Sequence, residues 1–461
     1  MKRHDSRRIV EESKKDEKLI KDHSRKHSIS PEWNEKQTTK NYTDWTKGSV
    51  SLSVPIKKPT SGQENENLKP TRRFSRLDQT LLTKPKVDKK NLSDEIKGVL
   101  KYCLAQMQGM RREMEDAHSV LLKFDNAHWS KWSYFSIFDG HNGKQAAKFV
   151  AKNLHVHIME QLNSMVKVDL GLDSSSIKPV KSSELDIENF LTVIKQAYKD
   201  TDDALRKVIK DESGCVAVSC LIGTEKIYFM NVGDSRAILV SPDGKVVMET
   251  DDHKPDDPGE IERLQNVAES GVITQQDGDI KRVRGLAMTR VFGDFQIAKN
   301  IKEIVPADPE IIEFTRSKKS PVAFIVLACD GIWDVITNEE LALIILDRMN
   351  VTDNLCEITN YILDTCLIRG STDNMSLFLI KFPQGPSATD NYIELDKRIR
   401  EYIQHTLAEK NENTNVEDIW RKLMKKFETK LLTRKELELL DNGGGIQAKR
   451  HLFVKAVTES L

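Results

Sequence analysis

The chain has 461 residues, of which 38% are hydrophobic and 31% are charged, and its formal net charge is zero. This length allows two or three domains with hydrophobic cores, and the neutral balance gives no overall basic field that would favour nucleic-acid binding. There is no run of 18 or more apolar residues and no apolar secretory signal, and Lys2 stands where N-myristoylation requires glycine. We expect a soluble, monomeric protein of the cytoplasm or nucleus that binds neither membranes nor nucleic acid.

Residues 1–90 are rich in Lys, Ser, Asn, Glu and Thr and contain few regularly spaced hydrophobic residues. Such a composition is typical of disordered sequence, so we predict a disordered N-terminal extension over 1–90. Arg-Arg pairs at 7–8 and 72–73 could form a nuclear signal or a target of basophilic kinases. A solvated tail is the simpler interpretation of these charges.

From about residue 97, short β-type runs alternate with helical patterns, which indicates a domain of mixed class. Thr337 opens a Thr-Asn-Glu-Glu sequence that predicts a capping box, and residues 164–187 contain Gly, Pro and Ser clusters that predict a loop. The predicted strands are 132–138, 227–232, 237–240, 322–329 and 375–380, and the predicted helices are 144–162, 188–209 and the segment after Thr337.

After Phe382 the sequence changes character. Residues 383–390 (PQGPSATD) predict a linker, and only helical patterns follow, at 392–409, 416–432 and 447–461. We therefore predict a large domain of mixed class over 91–382, which would be the catalytic domain, and a small C-terminal α-helical domain over 391–461.

The six cysteines form no Cys-X-X-Cys pair, and most have apolar neighbours. We interpret them as buried free thiols in a reducing compartment.

Acidic residues stand at the ends of several apolar β-type runs. Asp139 follows Tyr-Phe-Ser-Ile-Phe, Asp330 follows Phe-Ile-Val-Leu-Ala-Cys, and Asp373 shortly precedes Met-Ser-Leu-Phe-Leu-Ile. Asp234 lies in a Gly-Asp-Ser-Arg turn between two such runs. Carboxylates at strand ends project from a rigid scaffold into a shared space, and Mg²⁺ and Mn²⁺ prefer such oxygen ligands.

A single Asp-Gly after a strand is most often only a turn. The joint occurrence of these aspartates with the acidic pair Glu115-Asp116 outweighs that interpretation. We therefore predict a site for two divalent cations, which would activate a water between them.

Seven longer motifs follow one another along the chain. They are RREMEDAH (111–118), FSIFDGHNG (135–143), MNVGDSRAIL (230–239), DHKP (252–255), RVRGLAMTRVFGD (282–294), LACDGIWDV (327–335) and RGSTDNMSLFLI (369–380). In this order they resemble the motifs of the metal-dependent protein phosphatases of type 2C. The resemblance covers about 97–382, and the sequences at 81–91 and 440–457 are similar to the two ends of the animal alpha/beta-type enzymes.

The resemblance implies an α+β fold, a four-layer α-β-β-α sandwich of two antiparallel sheets flanked by helices. It implies a Ser/Thr protein phosphatase that acts on phosphorylated proteins and uses two Mn²⁺ or Mg²⁺ ions, with a weaker third. Asp139 would bridge both ions, and the Gly140 carbonyl would bind the second ion. Asp330 and Asp373 would complete the coordination shell of the first ion.

Further site residues follow from the same motifs. Glu115 and Asp116 would act on the second ion, partly through water, and Asp234 with Asp330 would serve the third. Supporting positions would be Asp334 and Asn374.

Two residues would act on the substrate itself. Arg111 would grip the phosphate, which suits a guanidinium fork, and His141 would protonate the leaving Ser/Thr oxygen. None of the six cysteines lies in a Cys-X5-Arg pattern, which argues against a cysteine phosphatase.

The chain departs from the family pattern beside the site. Val216 stands where the family has Thr, Thr289 stands where Ser is usual, Gly285 runs directly into Leu286 with one residue fewer, and 274–281 resembles a short insertion. These departures leave two alternatives open: a catalytically silent scaffold, or a phosphatase of small phosphorylated metabolites. We interpret His253 as a structural hydrogen-bonding residue and Trp333 as core packing.

Overall fold

The computed structural model describes residues 81–172, 178–267, 273–276, 280–297, 300–409 and 415–459. None of the helices in these ranges is long and apolar enough to span a membrane. The strands are β1 (Leu81–Ile96), β2 (Leu100–Arg111), β3 (Ala117–Leu121), β4 (Ser133–His141), β5 (Gly214–Ile222), β6 (Lys226–Val232), β7 (Arg236–Val240), β8 (Val246–Glu249), β9 (Ile273–Gln276), β10 (Ile280–Val283), β11 (Phe292–Gly293), β12 (Glu310–Thr315), β13 (Phe324–Ala328) and β14 (Met375–Lys381). The helices are α1 (Gln145–Asp169), α2 (Ile187–Val208), α3 (Pro258–Val267), α4 (Ile301–Ile304), α5 (Asp330–Trp333), α6 (Asn338–Met349), α7 (Leu355–Ile368), α8 (Asp390–Ala408), α9 (Val416–Lys426), α10 (Arg434–Asp441) and α11 (Arg450–Glu459).

Two antiparallel sheets form the centre of the fold. The first has the strand order β1-β2-β14-β13-β7-β8, and the second has the order β12-β6-β5-β4-β3 with β11 paired to β5. Strands β9 and β10 form a separate hairpin.

Strand β13 explains why the two sheets pack face to face. Alternate side chains of a strand point to opposite faces. Ile325 and Leu327 pack into the cluster between the two sheets, whereas Phe324 and Val326 pack into the cluster that faces α6 and α7. Because all four side chains are fully buried, this central strand is apolar on both faces.

Helices cover both outer faces. Helices α1 and α2 pack on the second sheet through residues such as Leu154 and Phe190, and α6 and α7 pack on the first sheet through residues such as Ile345 and Ile362. The layers are therefore α-β-β-α, and the predicted four-layer α+β sandwich is confirmed. The Thr337 side chain accepts a hydrogen bond from the Glu340 amide and caps α6, which is one half of the predicted capping box, whereas the Glu340 carboxylate pairs with Arg369.

Three sequence expectations need correction. Residues 81–90, assigned to the disordered extension, belong to β1, whereas 1–80 lie outside the described residues. Helix α1 continues to Asp169, because Met165 and Val166 maintain its apolar face, so the loop predicted from 164 begins later. Cys103 on β2 and Cys356 on α7 are disulfide-bonded, whereas the other four cysteines are buried free thiols.

The C-terminal helices have an apolar core of their own, built from α8 to α11 around residues such as Ile399, Trp420 and Phe453. A buried ionic cluster also joins them to α6. The Lys449 ammonium, fully buried, lies 2.6 Å from Asp347 Oδ1 on α6 and 2.5 Å from Asp396 Oδ1 on α8.

Arg348 completes the charge balance of this ionic cluster. Its guanidinium contacts Asp347 at 2.5 Å and Asp396 at 2.7 Å, so two cations face two carboxylates. Although burial opposes ionisation, Lys449 and Arg348 hold the pKa of Asp347 well below its usual range. Burial lowers the pKa of His451 to about 4, so its ring is neutral when it contacts Asp347.

We predict that Lys449→Met destabilises the protein by about 3–5 kcal/mol, because it leaves buried carboxylates without a compensating charge. Urea unfolding followed by circular dichroism would measure this loss. Lys422→Met, at an exposed position of α9, is the matched control and should change the free energy of unfolding by less than about 0.5 kcal/mol. An equal effect of the two variants would contradict a stabilising role for the ionic cluster.

Candidate active site

The sandwich brings strand-end aspartates together at one end of the sheets. Asp139 lies near the end of β4, Asp330 is the first residue of α5 directly after β13, and Asp373 lies two residues before β14. Asp116 directly precedes β3. We call Asp116, Asp139, Asp330 and Asp373 the carboxylate ring, since each acts electrostatically on at least one other member.

The carboxylate ring concentrates negative charge in a partly buried space. Burial and the charges of Asp116, Asp330 and Asp373 raise the pKa of Asp139 well above its usual range. Burial, with the charge of Asp373, raises the pKa of Asp116 to about 7. These shifts mean that the ring in its ionised form needs a compensating positive charge.

Two oxygen atoms of the carboxylate ring are buried without a hydrogen-bond partner in the described part of the chain. They are Oδ1 of Asp116 and Oδ1 of Asp330. The other oxygen of Asp116 accepts a hydrogen bond of 2.6 Å from the Ser376 hydroxyl, which orients the carboxylate. A buried acceptor without a donor is costly, so these atoms are suited to a ligand that supplies positive charge.

Asp234 and Asp334 lie beside Asp330. Burial and the charges of Asp234, Asp373 and Asp334 raise the pKa of Asp330 well above its usual range. Asp234 is buried in the turn between β6 and β7, and burial raises its pKa to about 6 although Lys254 opposes the shift. Asp334 is exposed, so it lies at the rim of the group.

Close backbone approaches hold Glu115 and Gly140 together. A Cβ atom on Gly140 would lie 2.5 Å from the Glu115 carbonyl oxygen, so only glycine fits there. Asn374 fixes the same loop, because its Oδ1 accepts from the Glu115 amide at 2.9 Å while its Nδ2 donates to the carbonyls of Gln108 and Glu113. Asn374 therefore supports the site through backbone hydrogen bonds.

Arg111 ends β2 at the edge of the carboxylate ring. Its Nη2 donates to Asp373 Oδ2 at 2.5 Å, and 40% of its side chain is exposed. Its Nε has no hydrogen-bond partner among the described residues. The guanidinium thus has donors left for an anion that approaches from solvent.

His141 forms a pair that sequence reasoning missed. Its Nε2 lies 2.7 Å from Oδ2 of Asp294, a fully buried carboxylate at the end of the fifth motif with φ of 57°. A Cβ atom on Gly214 would lie 2.5 Å or less from both partners, so this glycine leaves room for the pair. The available signal was the aspartate of Gly293-Asp294 directly after a short apolar run, the same pattern that identified Asp139 and Asp330.

The structure shows how two differences from the family pattern, Val216 and the shortened segment at Gly285, are accommodated beside the site. Val216 is buried in an apolar cluster with Leu264 and Val291, next to Gly233, so its methyl groups pack where a hydroxyl was expected. The contracted segment forms a two-residue turn between Val283 and Leu286, with positive φ at both central residues, as in tight hairpins.

Two interpretations from the sequence are confirmed. His253 Nδ1 accepts a hydrogen bond from the Gly233 amide at 3.0 Å, and burial lowers its pKa to about 3, so it is a neutral structural residue. Trp333 is buried in the core cluster beneath α6 and donates to the Ala328 carbonyl.

The donor set fits hard divalent cations that retain waters. Within the described ranges, no three His, Cys, Asp or Glu side chains are arranged to enclose a metal ion by themselves. Mg²⁺ and Mn²⁺ characteristically bind few carboxylates and complete their shell with water and carbonyl oxygens. The two unpartnered carboxylate oxygens match that partial role.

Comparison with known proteins identifies the family. A model described as Protein phosphatase 2C matches residues 100–375. Protein phosphatase 1A of Bos taurus is 34% identical over 392 residues, 82% of this chain and 94% of the relative. Protein phosphatase 1B of Homo sapiens is 34% identical over 394 residues, 82% of this chain and 76% of the relative.

A solved structure supports the same fold. The crystal structure of serine-threonine phosphatase 2C from Toxoplasma gondii matches with a TM-score of 0.51 at 19% identity, over 64% of this chain and 99% of that one. The chain belongs to the protein phosphatase 2C family and is by that membership a metal-dependent serine/threonine protein phosphatase.

Proposed function

We propose that the chain hydrolyses phosphoserine and phosphothreonine esters of proteins with two Mn²⁺ or Mg²⁺ ions held at the carboxylate ring. The observation that carries this proposal is the ring itself, since four acidic side chains share a partly buried space and two of their oxygens have no partner among the described residues. A guanidinium and an imidazole stand at its edge.

We assign the metal ligands from which acidic side chains lie near one another. Asp139 is repelled by Asp116, Asp330 and Asp373, which makes it the candidate bridge between two ions. Asp330 and Asp373 would complete the coordination shell of one ion. The other ion would be bound by the Gly140 carbonyl and Asp116.

Three further residues have lesser roles in this proposal. Glu115 would act on the second ion through water. Asp234, next to Asp330, would serve a weaker third ion, and Asp334 at the rim would support it.

When bound, such ions neutralise the carboxylates and make a water molecule a better nucleophile. Arg111 would bind the phosphate oxygens with the donors that Asp373 does not use. Because Arg111 is partly exposed, it can reach a phosphate attached to a protein surface.

His141 would supply the proton to the leaving oxygen of serine or threonine. Since Nε2 contacts Asp294, Nδ1 is the atom left to hold that proton. Asp294 would act through His141 by fixing the orientation of the ring.

The direct test is phosphate release from a phosphoserine peptide by purified full chain, with Mn²⁺ and with EDTA. We expect release that EDTA abolishes. A folded chain that releases no phosphate with Mn²⁺ present would contradict the proposal and favour the silent scaffold. Faster turnover of small phosphate esters than of phosphoproteins would instead favour a metabolite phosphatase.

We predict that Asp139→Asn lowers kcat/KM by at least about a thousandfold, because several kcal/mol of transition-state stabilisation would depend on the ions that Asp139 would hold. Phosphopeptide turnover at saturating Mn²⁺ measures the effect. Asp203→Asn removes an exposed carboxylate of α2 and is the matched control. Near-normal turnover of the Asp139 variant would show that the bridging assignment is wrong.

We predict that Arg111→Ala raises KM for a phosphopeptide by about 10- to 100-fold, since charge-assisted hydrogen bonds contribute about 1.5–3 kcal/mol. Mn²⁺ affinity, measured by calorimetry, should change much less. Arg112→Ala, at the exposed neighbouring position, is the control. An unchanged KM in the Arg111 variant would count against phosphate binding.

We predict that Asp294→Asn lowers kcat on a phosphoserine peptide by about 10- to 100-fold, less than the roughly 100- to 10,000-fold typical of general acid catalysis, because His141 itself is retained. Turnover of p-nitrophenyl phosphate should fall less, because its leaving group needs no proton. The ratio of the two kcat values therefore reports on His141. Equal losses on both substrates would point to a purely structural role for Asp294.

A further inference from the structure

The carboxylate that contacts His141 lies on a short segment, residues 291–295, whose backbone conformation is unusual. Gly293 has φ of 84° and Asp294 has φ of 57°, so two consecutive residues have positive φ. A positive φ is unfavourable for a residue with a side chain and persists only where the surrounding structure holds it. The position of the Asp294 carboxylate, and with it the orientation of the His141 ring, therefore depends on the contacts that fix the 291–295 segment.

Strand β5 and the residue before it hold one side of the 291–295 segment. Strand β11 pairs with β5 through Phe292 and Gly293, and the Asp294 amide donates to the Ser213 carbonyl at 3.3 Å. Among the described strands, β5 is the partner of β11. Side chains therefore have to bind the backbone groups that point away from β5.

Asp202 on α2 and Lys302 on α4 bind these backbone groups as an ion pair. Asp202 Oδ1 accepts a hydrogen bond from the Gly293 amide at 2.9 Å, and its Oδ2 lies 3.4 Å from Lys302 Nζ. Lys302 Nζ donates to the Val291 carbonyl at 2.5 Å. The ion pair thus joins two helices to the backbone of the 291–295 segment.

Phe295 gives Lys302 a second contact, beyond the carboxylate. The Lys302 Nζ lies 5.4 Å from the centre of the Phe295 ring, and the guanidinium carbon of Arg206 lies 4.5 Å from it. A cation near an aromatic ring is attracted to the negative face of the ring. Lys302 therefore contacts the segment at both ends, at Val291 and at Phe295, with Asp294 between them.

The ion pair is shielded from solvent and shares its space with Asp294. Only 15% of the Lys302 side chain and 9% of the Asp202 side chain are exposed. Burial lowers the pKa of Lys302, whereas the charges of Asp202 and Asp294 oppose this shift. One ammonium thus acts on two buried carboxylates, and such interactions are strong where little water screens them.

We propose that Lys302, through its pair with Asp202, is a positioning residue for the His141–Asp294 pair. This inference rests on the proposed function and adds a residue to its proton-transfer step. Lys302 acts only through Asp294. It fixes the carboxylate where Oδ2 meets His141 Nε2 at 2.7 Å, so that Nδ1 of the ring is presented to the leaving serine or threonine oxygen.

Lys302→Met in the full chain tests the proposal, because methionine is also unbranched and lacks the ammonium. We expect kcat on a phosphoserine peptide to fall about tenfold and kcat on p-nitrophenyl phosphate to fall less than about twofold, since p-nitrophenolate leaves without a proton. The KM for the peptide should change less than about twofold, because substrate binding is not affected. Lys207→Met, at an exposed position of α2, is the matched control and should behave as the natural chain.

Two further variants show whether Lys302 acts through Asp294. Asp202→Asn retains an oxygen for the Gly293 amide and removes the charge that pairs with Lys302, so we expect a smaller loss of the same kind. Lys302→Met combined with Asp294→Asn should have a kcat within about twofold of that of Asp294→Asn alone, because residues that act through one group are not additive. Circular dichroism of each variant gives the folded fraction by which kcat is divided.

Three results would overturn the proposal: equal losses on the two substrates in Lys302→Met or in Asp202→Asn, an unchanged kcat in both of these variants, or losses that multiply in the double variant. The natural chain in the same assay separates the two levels of inference. If it releases phosphate with Mn²⁺ and not with EDTA, any of these results leaves the proposed function intact. If the folded natural chain releases none, the proposed function fails as well.

Discussion

Mutual repulsion among buried carboxylates is the constraint on which the rest of this structure depends. Asp139 lies in a space shared with Asp116, Asp330 and Asp373, and burial and repulsion together raise its pKa. An uncompensated buried charge costs several kcal/mol, so the ionised ring is an unfavourable arrangement unless cations occupy it. Packing between the two sheets helps to hold this arrangement, and β13, which is apolar on both faces, lies where that packing is needed.

The precision of the site comes from backbone contacts. Gly140 lies against the Glu115 carbonyl, and Gly331 lies so close to the Asn374 carbonyl that a Cβ atom would be 2.1 Å from it. Asn374 then holds the Glu115 loop with two hydrogen bonds and ties it to β2 with a third, to the Gln108 carbonyl. These contacts place carboxylates from different strands at fixed separations, which a site for closely spaced cations requires.

The sequence predicted the strand-end aspartates because an acidic residue after an apolar run has a local signature. Asp294 was missed although it has the same signature, since its partner His141 is 153 residues away and only the fold brings them together. The strand character of 81–90 was missed because β1 is an exposed edge strand whose lysines resemble disordered sequence. The Cys103–Cys356 bond depends on the packing of α7 against β2, which no local pattern records. The ligand roles and the boundary between the catalytic and C-terminal domains remain predictions.

Titration calorimetry with Mn²⁺ on the full chain, after exhaustive removal of metal, measures whether the carboxylate ring binds cations. We predict tight binding of two ions for each chain, with the heat of binding lost in a variant in which Asp139 and Asp330 are both replaced by Asn. Absence of binding to a folded chain would contradict it, because the buried carboxylates would then have no cation to compensate them. Equal binding by the double variant would also contradict it, because the ions would then lie elsewhere.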